Sequence, residues 1–431
     1  MDYPGSPRSR SIARLAVASA VGTTLEWYDF AIYNVMAALV FNAVFFPTYD
    51  PMIGTLLAFS TYAVGYLSRP AGGLLFGYLG DRYGRRFVLF ATLMLMGIAT
   101  CLIGVLPAYQ QWGVWSPVAL VALRFVQGAA IGGEWAGAVL LSVEHGGARQ
   151  RGRNGSYAQM GPACGTILGI GAVTLVTLSL PSVSFEQWGW RIPFAVSAVL
   201  VAFGAWLRRG VDETPAFMQL RMNAATSAAP LREVARHHLR GVLTSIGARA
   251  GSDVLYALLA VFTLTYTTTI LHLPRPLALT VTVIGAACGA VSIPLFASLS
   301  DRLGRRPVSA AGAVASGFWT FAYFALMDTR QPILIGLAVA VGMTLHAAMY
   351  GPQAAFICEQ FPARVRYAGS SMAYTLTGVV AGGVAPLVFS ALYRAYGSTL
   401  WLSLYVSAAL GVTLLALWLA RETANVPLRD L

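Results

Sequence analysis

Gly77-Tyr-Leu-Gly-Asp-Arg-Tyr-Gly-Arg-Arg86 returns 220 residues later as Ala297-Ser-Leu-Ser-Asp-Arg-Leu-Gly-Arg-Arg306, with the Asp-Arg-x-Gly-Arg-Arg core kept. Glu144, Arg149 and Arg151 recur in the same way as Glu359, Arg364 and Arg366, at an offset of 215. Both offsets are about half of the 431 residues, so the chain reads as two copies of one unit. What lies between these polar loops is apolar, and its length and composition decide the fold class.

The chain is 57% hydrophobic and 11% charged, with a mean hydropathy of +0.65. A soluble domain carries roughly 25% charged residues. An ordinary soluble enzyme is therefore excluded, and the long apolar runs exclude a barrel of short alternating strands. A helix that crosses a bilayer needs about 20 apolar residues. Breaks at Pro, Gly and charge clusters give spans near 15–46, 52–79, 87–107, 115–143, 155–180 and 191–209, then 241–272, 277–299, 308–329, 331–358, 370–393 and 399–420. This predicts an all-α membrane protein with 12 transmembrane helices in two six-helix bundles, 15–209 and 241–420. Residues 1–14 form the amino terminus, 210–240 a polar linker and 421–431 a tail. An amphipathic helix is expected around 231–239, as a tether on the membrane surface.

A net charge of +12 suggests nucleic acid at first, but all 29 basic residues are arginine and 22 of them fall on one side of the spans. Cytoplasmic loops carry the excess of arginine and lysine, which places both termini in the cytoplasm. The charge is an orientation signal, and no nucleic-acid partner is expected. The expected partners are the bilayer and a small substrate, with the chain working as a monomer. Cys101, Cys164, Cys288 and Cys358 lie in or at the end of apolar segments without C-x-x-C spacing, so they read as small buried hydrophobes rather than a metal site. No nucleophile–base constellation, phosphate loop or metal-ligand cluster is present, so no catalytic residues are expected.

The repeated loop has a chemistry of its own. Gly77 permits a close backbone approach, and Gly84 and Gly304 permit tight turns. An aspartate such as Asp81 or Asp301 can accept hydrogen bonds at the positive amino end of a neighbouring helix. Arg85 and Arg86 can pair with acids on the next loop, Glu144 being the obvious one. With Arg82, Glu134, Arg302, Arg305, Arg306, Glu359 and Arg366 these residues make a candidate cytoplasmic gate, closed when the molecule faces outward. The competing reading is that the arginines only keep the loop inside.

Gly77-x-x-x-Asp81-Arg82-x-Gly84-Arg85-Arg86 resembles the loop signature of the major facilitator superfamily, and the second copy departs from it at Ala297. Trp190-Arg-Ile-Pro-Phe194, Glu213-Thr-Pro-x-Phe217 and Glu359-x-Phe-Pro-x-x-x-Arg366 are similar to its sugar-porter-like branch. Glu26-Trp-Tyr-Asp-Phe30, Ser68-Arg-Pro-x-Gly-Gly73 and Arg124-Phe-Val-Gln-Gly128, leading to Gly132-Gly-Glu-Trp135, narrow the match. Together they look like the metabolite:proton symporter family of shikimate, α-ketoglutarate, citrate and proline/betaine permeases. The resemblance implies the major facilitator fold, a bacterial inner membrane and a proton as coupling ion with no other cofactor. It also implies a substrate site between halves that rock to alternate access.

Charges inside the spans need a reason, since each costs roughly 2.5–3.5 kcal/mol on insertion scales. Glu26 and Asp29 are three apart on the first span and Tyr33 is four further on, so all three share a face. Arg124 on the fourth span is the natural partner of Asp29, either as a permanent ion pair or as a switchable one. Sugar porters resemble this arrangement, which makes Asp29 the implied proton carrier and Arg124 its counter-ion, with Glu26 a weaker third member. Arg249 suits capture of a carboxylate, yet Asp253 is four residues on and can close it off. Tyr256 is placed on the same surface, and His346, Tyr350 and Gln353 form one polar stripe on the tenth span. Gln159 and Tyr374 join the substrate candidates by polarity.

These readings converge on proton-coupled uptake of a small organic acid anion. The rivals are a proton-coupled exporter of drugs or metabolites and uptake of a zwitterion such as betaine or proline.

Overall fold

The computed structural model describes residues 9–47, 61, 63–145, 149–209, 213–223, 227, 229–424 and 426–428. Within them the first half of the chain supplies α1 (Ser9–Leu39), α2 (Arg69–Tyr83), α3 (Arg85–Val105), α4 (Trp115–His145), α5 (Arg151–Ser179) and α6 (Gly189–Arg209). The second half supplies α7 (Leu239–Ile270), α8 (Arg275–Leu303), α9 (Arg305–Asp328), α10 (Pro332–Glu359), α11 (Arg366–Tyr396) and α12 (Thr399–Leu419). Among the described residues, the ten helices α3 to α12 are long and apolar enough to cross a membrane. Helices are what such sequence must form in lipid, because only they satisfy every backbone group within one segment. The opening of the expected second span, 52–60 with 62, lies outside the described residues. So do 1–8 of the amino terminus, 210–212, 224–226 and 228 of the linker, and 425 and 429–431 of the tail.

Each half is sewn together by its own neighbours, α1 on α5 and α3 on α4 in the first, α8 and α9 on α10 in the second. Small residues make this possible. A Cβ at Gly165 of α5 would stand 2.6 Å from the Thr24 carbonyl oxygen and from the Trp27 Cβ of α1, so no larger residue fits that seam. Between halves, α2 packs on α11, and α5 packs on α8 and α10.

The loop glycines act as the sequence requires. Gly84 and Gly304 separate α2 from α3 and α8 from α9 at φ of 112° and 103°, a backbone region that disfavours any side chain. Several long spans are not regular. The expected first span breaks at Val40 and resumes as a short helix, Phe41–Phe45. Helix α7 widens into π-helical turns at Ala257–Phe262 and Tyr266–Ile270, and α11 does so at Gly378–Gly383. Such turns loosen the backbone ladder and recur at functional sites.

The linker forms its helix close to the expected 231–239. This helix, Pro230–His237, packs against α2 and α11, with Val234 buried. Glu233 pairs with Arg364 at 2.5 Å, just ahead of α11. Burial of Val234 and that ion pair hold the linker against the seam between halves.

Candidate functional site

At the arginine-rich end the two copies of the repeated loop close on each other. Asp81, near the end of α2, accepts the backbone N–H groups of Tyr367 at 3.3 Å and Ala368 at 2.8 Å, where α11 begins. Asp301, near the end of α8, accepts those of Gly152 at 2.8 Å and Arg153 at 2.9 Å, where α5 begins. Each carboxylate thus rests on the positive amino end of a helix from the opposite half. The glutamates cross in the same way, Glu144 to Arg366 at 3.2 Å and Glu359 to Arg151 at 3.2 Å. Within each half, Arg85 lies 3.3 Å from Asp81 and 3.7 Å from Glu144, while Arg305 lies 2.7 Å from Asp301 and 3.3 Å from Glu359. A Cβ on Gly77 would come within 3.1 Å of the Ala368 Cα, so the glycine lets α2 and α11 meet.

Other gate candidates fall outside this lattice. Arg82 donates to the Tyr78 hydroxyl and is exposed, as is Arg302. Arg86 does not reach Glu144; it donates to the Arg209 carbonyl at 3.1 Å, and Arg306 donates to the Trp418 carbonyl at 3.1 Å, each closing a helix end in its own half. Glu134 also lies outside this lattice. It pairs with Arg208 of α6 inside the first half, well buried, because α4 and α6 leave no room for an uncompensated acid there.

Glu213 accepts the N–H groups of Arg85 and Arg86 at 3.1 and 3.2 Å, capping α3, and Glu422 does the same for Arg305 and Arg306 at 3.1 and 2.9 Å, capping α9. Burial pushes the Glu422 carboxyl up, but the N–H groups of Arg306, Ala424, Arg305 and Thr423 outweigh it and hold the group below its ordinary 4.5. The tail beyond Glu422 lies against the same lattice. Arg151 donates to the carbonyls of Thr423, Ala424 and Val426, and Arg366 donates to that of Leu428 at 3.0 Å.

In the first half, buried Asp29 receives the Ser197 hydroxyl at 2.5 Å and the Thr100 hydroxyl at 2.7 Å. Gln127 donates to Thr100 at 2.7 Å, and Arg124 donates to Gln127 at 3.1 Å. The link from Asp29 to Arg124 therefore runs through Thr100 and Gln127, where the sequence suggested direct pairing. The Arg124 guanidinium lies over Phe30 at 3.9 Å and over Tyr33 at 4.0 Å, and the Tyr33 hydroxyl bonds to Thr61. Glu26 is buried one turn before Asp29.

Between the halves the remaining candidates form one continuous cluster. Arg249 bonds Asp253 at 2.9 Å, donates to the Tyr374 carbonyl and lies 3.4 Å over the Tyr374 ring. The Tyr374 ring stacks on Trp135 of the first half at 3.8 Å. Trp135 donates to Gln159 at 2.7 Å, and Gln159 donates to the Tyr350 carbonyl at 3.0 Å. His346 shares a hydrogen bond with Ser252 at 3.1 Å, with Tyr256 and Tyr350 at 5.5 and 5.2 Å from its ring. Gln353 is buried, and neither end of its amide has a hydrogen-bond partner among the described residues.

Sequence reasoning missed Thr100, Gln127, Ser197, Trp135 and Arg208. Thr100 and Ser197 were legible only as polar residues inside an apolar span, Gln127 and Trp135 only as members of a motif, and Arg208 only as one of the arginines on one side of the spans. Glu422-Thr423 had a clearer signal, as the second copy of Glu213-Thr214.

Comparison with known proteins agrees with this architecture. Residues 15–242 match the sugar (and other) transporter family, and 242–429 match the major facilitator superfamily. The chain is 38% identical over 382 residues to the shikimate transporter of Escherichia coli K12, covering 88% of this chain and 87% of that one. It is 35% identical to the inner membrane metabolite transport protein YhjE of the same organism, over 96% of this chain and 94% of that one. The proline/betaine transporter of Escherichia coli K12 is 32% identical over 97% and 85% of the two chains. Among solved structures, the proton:xylose symporter XylE bound to 6-bromo-6-deoxy-D-glucose shares the fold, with a TM-score of 0.82 over 98% and 99% of the chains at 18% identity. The chain belongs to the major facilitator superfamily, in the metabolite-transporter group to which the shikimate transporter it resembles also belongs, and is a membrane transporter rather than an enzyme.

Proposed function

We propose that this transporter takes up a small organic acid anion, such as shikimate or a mono- or dicarboxylate, together with protons across the bacterial inner membrane. It crosses the bilayer twelve times and keeps both termini and the arginine-rich end in the cytoplasm. The crossed lattice of Asp81, Glu144, Asp301 and Glu359 is then the cytoplasmic gate, and alternating access requires it to break. The proton is the coupling ion, no other cofactor takes part, and the monomer is the working unit. The enclosed chain from Asp29 through Thr100 and Gln127 to Arg124 carries the coupling assignment. It is a buried carboxylate with fixed hydroxyl donors and a nearby guanidinium, the parts needed to take up and release one proton.

For a monoanion moving with one proton, net charge movement is zero and the pH gradient alone drives uptake. A dianion needs further protons to avoid working against the potential, about 2.3 kcal/mol per charge per 100 mV. The test is uptake of labelled shikimate, α-ketoglutarate, citrate and betaine into proteoliposomes under an acid-outside gradient. Asp29→Asn is expected to abolish gradient-driven accumulation while sparing exchange, and normal accumulation by that variant sinks the coupling assignment. A second reading, uptake of a zwitterion, draws on the 32% identity to the proline/betaine transporter, and the betaine arm decides it.

A further inference from the structure

Arg69 opens α2 and is 4% exposed. The buried arginines 85, 151, 208, 249, 305 and 366 each lie within 4 Å of a carboxylate. Arg69 does not pair in this way with any described residue, and neither its Nε nor its Nη2 has a hydrogen-bond partner among them. Its guanidinium is instead surrounded by rings, with Tyr66 at 3.9 Å, Phe30 at 4.9 Å and Trp27 at 5.8 Å.

That cage stands at the seam between the halves. The Trp27 ring meets Tyr256 of α7 edge-on at 6.4 Å. The Tyr66 ring lies 3.9 Å from where a Cβ on Gly383 would be, in the wide turn of α11. One residue earlier, the Cβ position of Gly382 is 3.6 Å from Asp253 Oδ2, itself without a hydrogen-bond partner. Helices α1, α2, α7 and α11 thus converge around Arg69, two from each half.

The rings hold a cation by its face but satisfy none of its N–H edges. A buried guanidinium with two such edges unmatched gains most from a planar oxyanion that accepts both. Arg249 is already compensated by Asp253, and Arg124, the other guanidinium over Phe30, is tied to Gln127 within the first half, which leaves Arg69 as the guanidinium that faces the seam. An aromatic cage can recognise a quaternary ammonium group, but this one already holds a guanidinium. We infer that Arg69 is the anchor for the substrate carboxylate, and that the site takes a single carboxylate on an uncharged body in preference to a betaine-like zwitterion. The inference rests on the organic-anion reading above and adds the residue and the preference.

The test uses the full chain in lipid nanodiscs, with equilibrium binding of shikimate, its carboxamide, α-ketoglutarate, citrate and glycine betaine. The wild type is expected to prefer acid over amide by about 30-fold, the worth of a charge-assisted hydrogen-bond pair. Arg69→Gln should bring acid affinity down to that of the amide and leave the amide unchanged. Arg69→Lys, which keeps the charge but loses the planar fork, should lose about tenfold for the acid. Where Arg69→Gln does not fold, the acid-to-amide ratio in the wild type and in Arg69→Lys carries the test. A folded Arg69→Gln or Arg69→Lys that binds acid as tightly as the wild type overturns the anchor but leaves the organic-anion reading standing. Tighter binding of betaine than of shikimate by the wild type overturns the stated preference. A wild type that binds neither shikimate, α-ketoglutarate nor citrate overturns both.

Discussion

Glu144 of the first half lies 3.2 Å from Arg366 of the second, and Glu359 and Arg151 repeat that distance with the halves exchanged. All the cross-half pairs are present together in this arrangement, and under the gate proposed above separation of the halves breaks them together. Glu144→Gln leaves Arg366 buried without its acid, a change that costs about 3–5 kcal/mol where a buried pair is broken. That cost falls on the closed state. Faster hydrogen exchange is expected at the first amides of α5 and α11, those of Gly152, Arg153, Tyr367 and Ala368. Glu144→Asp, which keeps the charge beside Arg366 and Arg85, should restore part of the protection. Exchange unchanged in Glu144→Gln would mean the pair does not hold the halves.

Thr100 is the joint between Asp29 and Gln127, accepting from one side and donating to the other. Thr100→Val keeps the shape and removes the hydroxyl, leaving a buried carboxylate one donor short. A loss of about 1–3 kcal/mol in stability is expected for such an orphaned group. Under the coupling proposed above, gradient-driven accumulation falls more steeply than exchange, and Thr100→Ser restores both. Denaturant unfolding and proteoliposome uptake measured on one preparation separate the two effects.

The division into halves and the loops that join them were legible because repetition needs no geometry to be seen. Asp81, Arg85, Glu144 and their copies could be assigned to one end of the molecule from arginine counting alone. Which acid meets which arginine was not legible. Arg85 and Arg86 are equally good partners for Glu144 on paper, and only the fold sends Arg86 to the end of α6 and Arg85 inward. The route from Asp29 to Arg124 was not legible for a related reason. Charge pairing is the shortest inference from two buried ions, but here a threonine and a glutamine fill the gap; the threonine carries little signal in an apolar span, and the motif that contains Gln127 does not say what it touches. Arg69 was visible only as part of a motif. Its lack of an acid partner is a property of the packed halves.

Arg249 bonds Asp253 and the Tyr374 carbonyl and lies over the Tyr374 ring, all within the second half. A structural ion pair predicts a particular pattern in a double-mutant cycle. Arg249→Met alone leaves Asp253 as an uncompensated buried acid and should cost about 3–5 kcal/mol. Removing both charges, with Arg249→Met and Asp253→Leu together, should recover most of that stability and keep shikimate binding within a few fold. A double variant as damaged as the single one, with binding lost, would move Arg249 into the substrate site.

Glu422 offers a pH-dependent reading of the same end of the molecule. Its carboxylate caps α9 through the N–H groups of Arg305 and Arg306, and those bonds exist only with the charged form at full strength. Since the folded value lies below the ordinary 4.5, the unfolded chain binds this proton more readily than the folded one. The stabilisation is therefore complete above about pH 4.5 and is lost as pH falls through the lower folded value. Glu422→Gln should remove about 1 kcal/mol at neutral pH, the usual worth of a helix cap, and little at strongly acid pH, where the wild type has lost the charge too. Stability curves of the two proteins should thus converge as the solution is acidified. A gap that stays constant down to pH 3 would assign the loss to packing of the Glu422 side chain rather than to its charge.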